Sequence, residues 1–179
     1  MRVLKAGIAG VLAAVALAAL ATGTGAVAQP PPSATTFTGK CHYEGRIIFD
    51  DPIGGVPEPN GLRMGASGTC SGWLDGQPVD EAPVWFYGSA EGLMSCTQGL
   101  PMGTGGLVFD DDEVISYTFA EYRITGAGKV EFRGVSGGSL HGVGAADDDT
   151  AEQVERCAEG DGSLEQTSIS GDVAGTISG

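Results

Sequence analysis

Basic residues are scarce in this chain: nine lysines and arginines stand against 23 aspartates and glutamates. A surface so short of cations repels phosphate backbones and anionic headgroups, which sets aside nucleic acid and membrane surfaces as partners. Long apolar runs are missing after residue 28, so the remainder offers no segment of about 18 residues for stable membrane insertion. The four cysteines never form Cys-x-x-Cys, and the two histidines, His42 and His141, are not placed to complete a zinc site. Aromatic residues make up only 7% of the chain, few enough that each large ring has to be assigned to core or to surface.

What is present begins with an export signal. Arg2 and Lys5 give a positive start, Gly7 to Ala21 a short apolar stretch, and Ala26-Val27-Ala28 the small-x-small cleavage pattern, so residues 1–28 read as a secretory signal peptide. No cysteine at the cut offers a lipid anchor, and there is no twin-arginine pair. The expected localisation is secreted or extracellular. Removing 28 of 179 residues leaves 151, one domain's worth. It also removes two of the nine basic residues and none of the 23 acidic ones, so seven against 23 leaves a net charge of −16. Residues 29–35, with Pro30, Pro31 and Pro32 in a row, read as a flexible leader, and 36–179 as a single β domain.

Cys41, Cys70, Cys96 and Cys157 all fall in the exported part, where thiols oxidise. Four cysteines allow three pairings. Cys41 and Cys70 both lie on the apolar parity of their strands, which favours Cys41 with Cys70 and Cys96 with Cys157; zinc is the competing reading.

Period-two alternation dominates the rest. Phe37, Gly39, Cys41, Tyr43, Gly45, Ile47 and Phe49 alternate with polar residues, marking a long strand with one buried face. Asp51 to Gly61, with three prolines, reads as a loop, and Leu62 to Leu74 as a second strand closed by the turn Asp75-Gly76. Val84-Trp85-Phe86-Tyr87 is apolar on both parities, as in a strand covered on both sides or one presenting an aromatic patch. Gly92 to Gln98 and Gly105 to Asp110 read as short strands. Val114 to Ile124 switches parity near Ala120, which suggests a bulge, and Gly126-Ala127-Gly128 a hairpin loop into Lys129 to Val135. Ser139 to Ala145 and Ser163 to Ile177 are the remaining strands. One short helix is expected near 149–159, capped by Asp149 with Glu152 in a capping box and ended by Gly160. Eight or nine strands and one helix describe an all-β fold, a single antiparallel β-barrel with a β-sandwich as the alternative. The barrel is preferred because 27 of the 151 exported residues are glycine, many inside strands, where small barrels bend.

Candidate chemistry is sparse. Gly134-Val135-Ser136-Gly137-Gly138 matches the G-x-S-x-G elbow, but no helix follows Ser136, so a hairpin turn is expected. His42 lies on a polar face and reads as solvated; His141, on the parity of Ser139 and Val143, is a candidate binding residue. Acidic runs occur at Asp50-Asp51, at Asp110, Asp111, Asp112 and Glu113, and at Asp147 to Asp149, the second being the candidate calcium turn, although none matches the D-x-D-x-D-G loop. Glu44, Glu121 and Glu131 are carboxylates on strands, without a discernible glycosidase pairing. Trp73, Trp85 and Tyr87 read first as core, and otherwise as a surface for sugars or a partner. No catalytic residue and no cofactor other than calcium is put forward.

Phe37-Thr38-Gly39-Lys40-Cys41, Gly68-Thr69-Cys70-Ser71-Gly72 and the segment Ala151 to Ala158 bearing Cys157, taken together, resemble a group of small exported glycine-rich β proteins of high-GC actinobacteria. The resemblance implies a one-domain β protein outside the cell and carries no activity with it. The expected function is therefore a non-catalytic β domain that binds an extracellular ligand or protein partner or serves the envelope. A barrel holding a small apolar ligand in its lumen is the alternative, and a secreted hydrolase comes third.

Overall fold

A computed structural model describes residues 34–109, 113–121 and 128–179. Eight strands close into an antiparallel barrel in chain order: β1 (Thr36–Ile53), β2 (Glu58–Leu74), β3 (Gln77–Met94), β4 (Met102–Phe109), β5 (Val114–Glu121), β6 (Gly128–Gly134), β7 (Gly137–Ala146) and β8 (Leu164–Ser178), with β8 pairing back onto β1. One helix, α1 (Asp148–Ala158), separates β7 from β8. The expected barrel is thus the architecture, with eight strands and no sandwich.

Alternation decides what the barrel contains. On β1 the residues Phe37, Cys41, Tyr43, Ile47 and Phe49 are buried, while Lys40, His42, Glu44 and Arg46 face out. That is the reverse of a membrane barrel, whose outward residues are apolar. No helix among the described residues is long and apolar enough to cross a membrane. Inside, Phe132 stacks within ring-contact distance of Tyr43, Phe86, Tyr117 and Phe119, so a column of aromatic rings fills the lumen. Tyr117 donates a hydrogen bond from its hydroxyl to the Tyr87 carbonyl at 2.9 Å, and burial pushes its ionisation far above the ordinary tyrosine range.

Both disulfides follow the expected pairing. Cys41 and Cys70 lie directly opposite each other on β1 and β2, inside the barrel, with Cα atoms 4.1 Å apart. Cys157 of α1 joins Cys96 of the β3–β4 connection, and the two sulfurs sit 3.3 and 3.5 Å from the Ile53 carbonyl. Val154 and Cys157 are the buried face of α1, so the helix closes one pole of the barrel over the ends of β1 and β8. At the other pole the start of β1 and the end of β8 meet, since the Gly179 amide donates to the Thr35 carbonyl.

Several expectations need correction. The proline-rich stretch Asp51 to Gly61 is mostly strand: β1 runs to Ile53, which pairs with Leu164 of β8, and β2 starts at Glu58, which pairs with Met94 of β3, while the Asn60 side chain donates to the Asp51 carbonyl (2.7 Å) and accepts from the Asp51 amide (3.2 Å) where the β1–β2 ladder has stopped. Gly92 to Gln98 is not a strand of its own; Gly92 to Met94 complete β3, and Ser95 turns the chain by accepting from the Thr97 and Gln98 amides. The helix is capped at Asp147 through its backbone carbonyl, which takes the Thr150 and Ala151 amides, and no side-chain capping bond forms there. Gly160, at φ +86°, ends it as expected. The register of β5 is continuous with both neighbours through Ala120, so no bulge falls there. Tyr122 to Ala127, with the parity switch and most of the expected hairpin loop, lie outside the described residues, as does the leader through Ser33.

Candidate functional site

The apolar run on β3 resolves into two faces. Val84 and Phe86 point into the barrel, whereas Trp85 and Tyr87 point out and are 48% and 43% exposed; Trp73, on the outer face of β2, is 55% exposed. The core reading of these three rings is overturned. Their parity is opposite to that of Leu74, Val84 and Phe86, and the lumen already holds its complement of rings.

Each β3 ring has a seat made by a missing side chain. A Cβ on Gly65 would lie 3.1 Å from Trp85 Cζ2, and one on Gly106 would lie 2.8 Å from Tyr87 Cζ. The Cζ2–Cη2 edge of Trp85 therefore reaches over β2 and the hydroxyl end of Tyr87 over β4, and both rings stay open to solvent. Beside them on the outer face stand Arg63 and Ser67 of β2, Ser89 of β3, Thr104 and the half-buried Val108 of β4, and Ser116 of β5. This strip continues into a groove of about 580 Å³ lined by Leu100, Pro101, Met102, Thr118 and Ala120 and edged by Glu131 and Arg133. Arg133 holds Glu131 with two hydrogen bonds, at 2.8 and 3.0 Å, and keeps its carboxyl below the usual carboxylate range.

The other candidates do not join this face. His141 sits on β7, on the opposite side of the barrel from β3. Its Nε2 lies 2.6 Å from the Ser139 hydroxyl and 3.8 Å from Glu131 Oε1. Hydroxyl and carboxylate thus address one ring nitrogen, whereas a nucleophilic triad needs them on different nitrogens. His42 faces solvent, as expected, but is paired: Asp172 Oδ1 is 3.0 Å from Nδ1 and Glu44 Oε1 3.4 Å from Nε2, and these bonds raise its pKa. Ser136 lies in the β6–β7 turn, where its amide donates to the Ser178 carbonyl, and a strand rather than a helix follows. Of the calcium turn, Asp110, Asp111 and Asp112 lie outside the described residues, and the Glu113 carbonyl accepts from the Phe109 amide. Among the described residues no three His, Cys, Asp or Glu side chains form a metal-holding group.

Comparison with protein-family models, curated proteins and solved structures finds no match to this chain. Function therefore has to be argued from the outer face itself. Sequence parity held the signal for that face, since Trp85 and Tyr87 alternate with buried Val84 and Phe86. The glycine seats were not visible, because they depend on which strands pair and in what register.

Proposed function

We propose that this chain is an exported, non-catalytic binding domain that meets its partner on the outer face of β2 to β5. One observation carries the reading: large aromatic side chains stand on the outside of a barrel whose inside is full. The interior space beside Tyr43, Ile47 and Phe119 amounts to about 20 Å³, room for about one water. A lumen ligand would have to displace core rings, whereas the outer strip is open and apolar. Grouped apolar side chains on a small acidic protein come at a solubility cost that a binding role explains. Export is supported by the signal-like first 28 residues and by two disulfides, which persist in oxidising compartments.

The test is retention. Wild-type protein and the double variant Trp85→Ala/Tyr87→Ala, matched for folding by thermal melting, would be mixed with cell-envelope material of a producing host and sedimented. Wild type is expected in the pellet and the variant in the supernatant; equal partitioning of the two overturns the reading.

A further inference from the structure

Resting on that reading, we propose that the outer face of β2 to β5 takes a cationic amphipathic segment of another polypeptide, whose apolar side chains cover the strip from Trp85 to Met102 and whose basic side chains meet Glu81 and Glu91.

Trp85, Tyr87, Leu93, Leu100, Met102 and Val114 are all exposed on β3 to β5 or on the β3–β4 connection, and Met102 is the most open of them at 73%. Val114 lies in the same cross-strand row as Trp85, through Val108, and the Leu100 amide donates to the Leu93 carbonyl, so neighbouring strands share the patch. Apolar side chains scattered singly over a surface need no partner, whereas a grouping of this kind marks an interaction site. Trp85 and Leu93 are eight residues apart on β3, about 26 Å, a span that suits a polypeptide segment better than a small molecule.

Charge then selects the occupant. From Glu58 to Glu121, the stretch that supplies β2 to β5, the chain has ten acidic residues and a single basic one, Arg63. Strands β3, β4 and β5 contain no lysine or arginine. Asp50, Glu91 and Met102 line one groove with Arg63, which sits 3.6 Å from Asp50, so Glu91 is the carboxylate in excess. Glu91 stands directly opposite Met102 in the β3–β4 ladder. A partner that covers Met102 therefore takes water from Glu91 as well, and a desolvated carboxylate is strongly unfavourable unless the partner supplies a cation. Glu81, exposed where the β2–β3 register shifts, stands four residues before Trp85. Among the described residues no ion pair engages Glu81 or Glu91.

A neutral apolar partner leaves Glu91 without a counter-ion. A second copy of this chain would set ten acids against ten, and a phosphate-bearing surface has the wrong sign. A polyamine has the right sign but no apolar side chains to cover the strip. A polypeptide segment with lysine or arginine on either side of an apolar stretch meets both conditions. Glu81 and Glu91 are ten residues apart on β3, about 33 Å, which a helix of about 22 residues spans.

The experiment titrates the whole exported domain into a labelled amphipathic helical peptide of leucine and lysine of that length, read by fluorescence anisotropy. Physiological ionic strength screens distant charges, so local acids decide the outcome. A serine–lysine peptide of equal charge and a leucine–glutamate peptide are the counter-probes, and both are expected to bind at least tenfold more weakly. Glu81→Gln/Glu91→Gln should weaken binding of the leucine–lysine peptide about tenfold, and Trp85→Ala/Tyr87→Ala at least as much. Glu152→Gln/Glu155→Gln, which removes two charges from the exposed side of α1, should leave it unchanged. Equal binding of either counter-probe, or equal weakening by the α1 pair, overturns the inference. So does failure of the leucine–lysine peptide to bind; if envelope retention still depends on Trp85 and Tyr87, the binding role stands with a partner of other chemistry, and if retention is also indifferent, both readings fall.

Discussion

On the outer face of β1, His42 lies between two carboxylates, so its ring stays protonated to higher pH than a free histidine. The folded pKa is raised above the ordinary 6.5, so the stability from this contact is fully present below pH 6.5 and is lost as pH rises through the folded value. Half of the imidazole is open to solvent, which keeps the contribution under about 1 kcal/mol. His42→Ala should therefore melt below wild type at about pH 5.5 and together with it at about pH 8.5. A gap that persists or widens at the higher pH would show that the ring packs rather than pairs. The sequence placed His42 on the polar face of its strand, but its partner Asp172 lies 130 residues away and becomes a neighbour only because β8 returns to β1. Trp85 and Tyr87 show the same limit. Parity put them opposite Val84 and Phe86, and only closure with a filled lumen made that side the outside.

At the scale of elements, the two disulfides do different work. Cys41–Cys70 ties strands that already share a ladder, whereas Cys96–Cys157 ties α1 to a connection it would otherwise meet only through packing. Their separations of 29 and 61 residues correspond, by loop-closure entropy, to about 3.6 and about 4.3 kcal/mol of denatured-state constraint. Each of Cys41→Ser and Cys96→Ser should lower stability to denaturant by roughly 2 to 5 kcal/mol. Amide exchange separates them: Cys96→Ser is expected to expose α1 below the global unfolding free energy while β1 and β2 stay protected. Uniform loss of protection would mean that the helix is not an independent unit. The strands and the helix were legible because alternation and helix stop signals are local. Strand lengths were not, as Pro52 and Pro59 lie in a stretch that reads as loop, yet β2 pairs with β3 back to Glu58 and Asn60 bonds Asp51 from its side chain.

For the molecule as a whole, the lumen is held by an aromatic column whose hub is Phe132. Phe132→Ala should cost about 3 to 5 kcal/mol and leave a dry void. Such a void takes up benzene or xenon. Restored melting temperature on adding benzene would confirm the vacancy; a loss below about 1 kcal/mol, with no response to benzene, would mean that the neighbouring rings collapse inward. The barrel itself was legible in the abundance of glycine, whereas its strand count and closure depended on pairings no local pattern records. One last consequence concerns force. Because β1 and β8 are antiparallel neighbours and the start of β1 meets the end of β8 at one pole, a pull applied at residues 34 and 179 peels their hydrogen bonds one rung at a time. Peeling of β1 halts at Cys41 and that of β8 cannot pass Cys157, so under oxidising conditions two stretches of 29 and 61 residues stay out of the stretched length. In a single-molecule extension trace, reduction should add roughly 100 and 210 Å. In an oxidising compartment the domain would thus yield early to tension yet reach only part of its full contour length, held by two built-in stops.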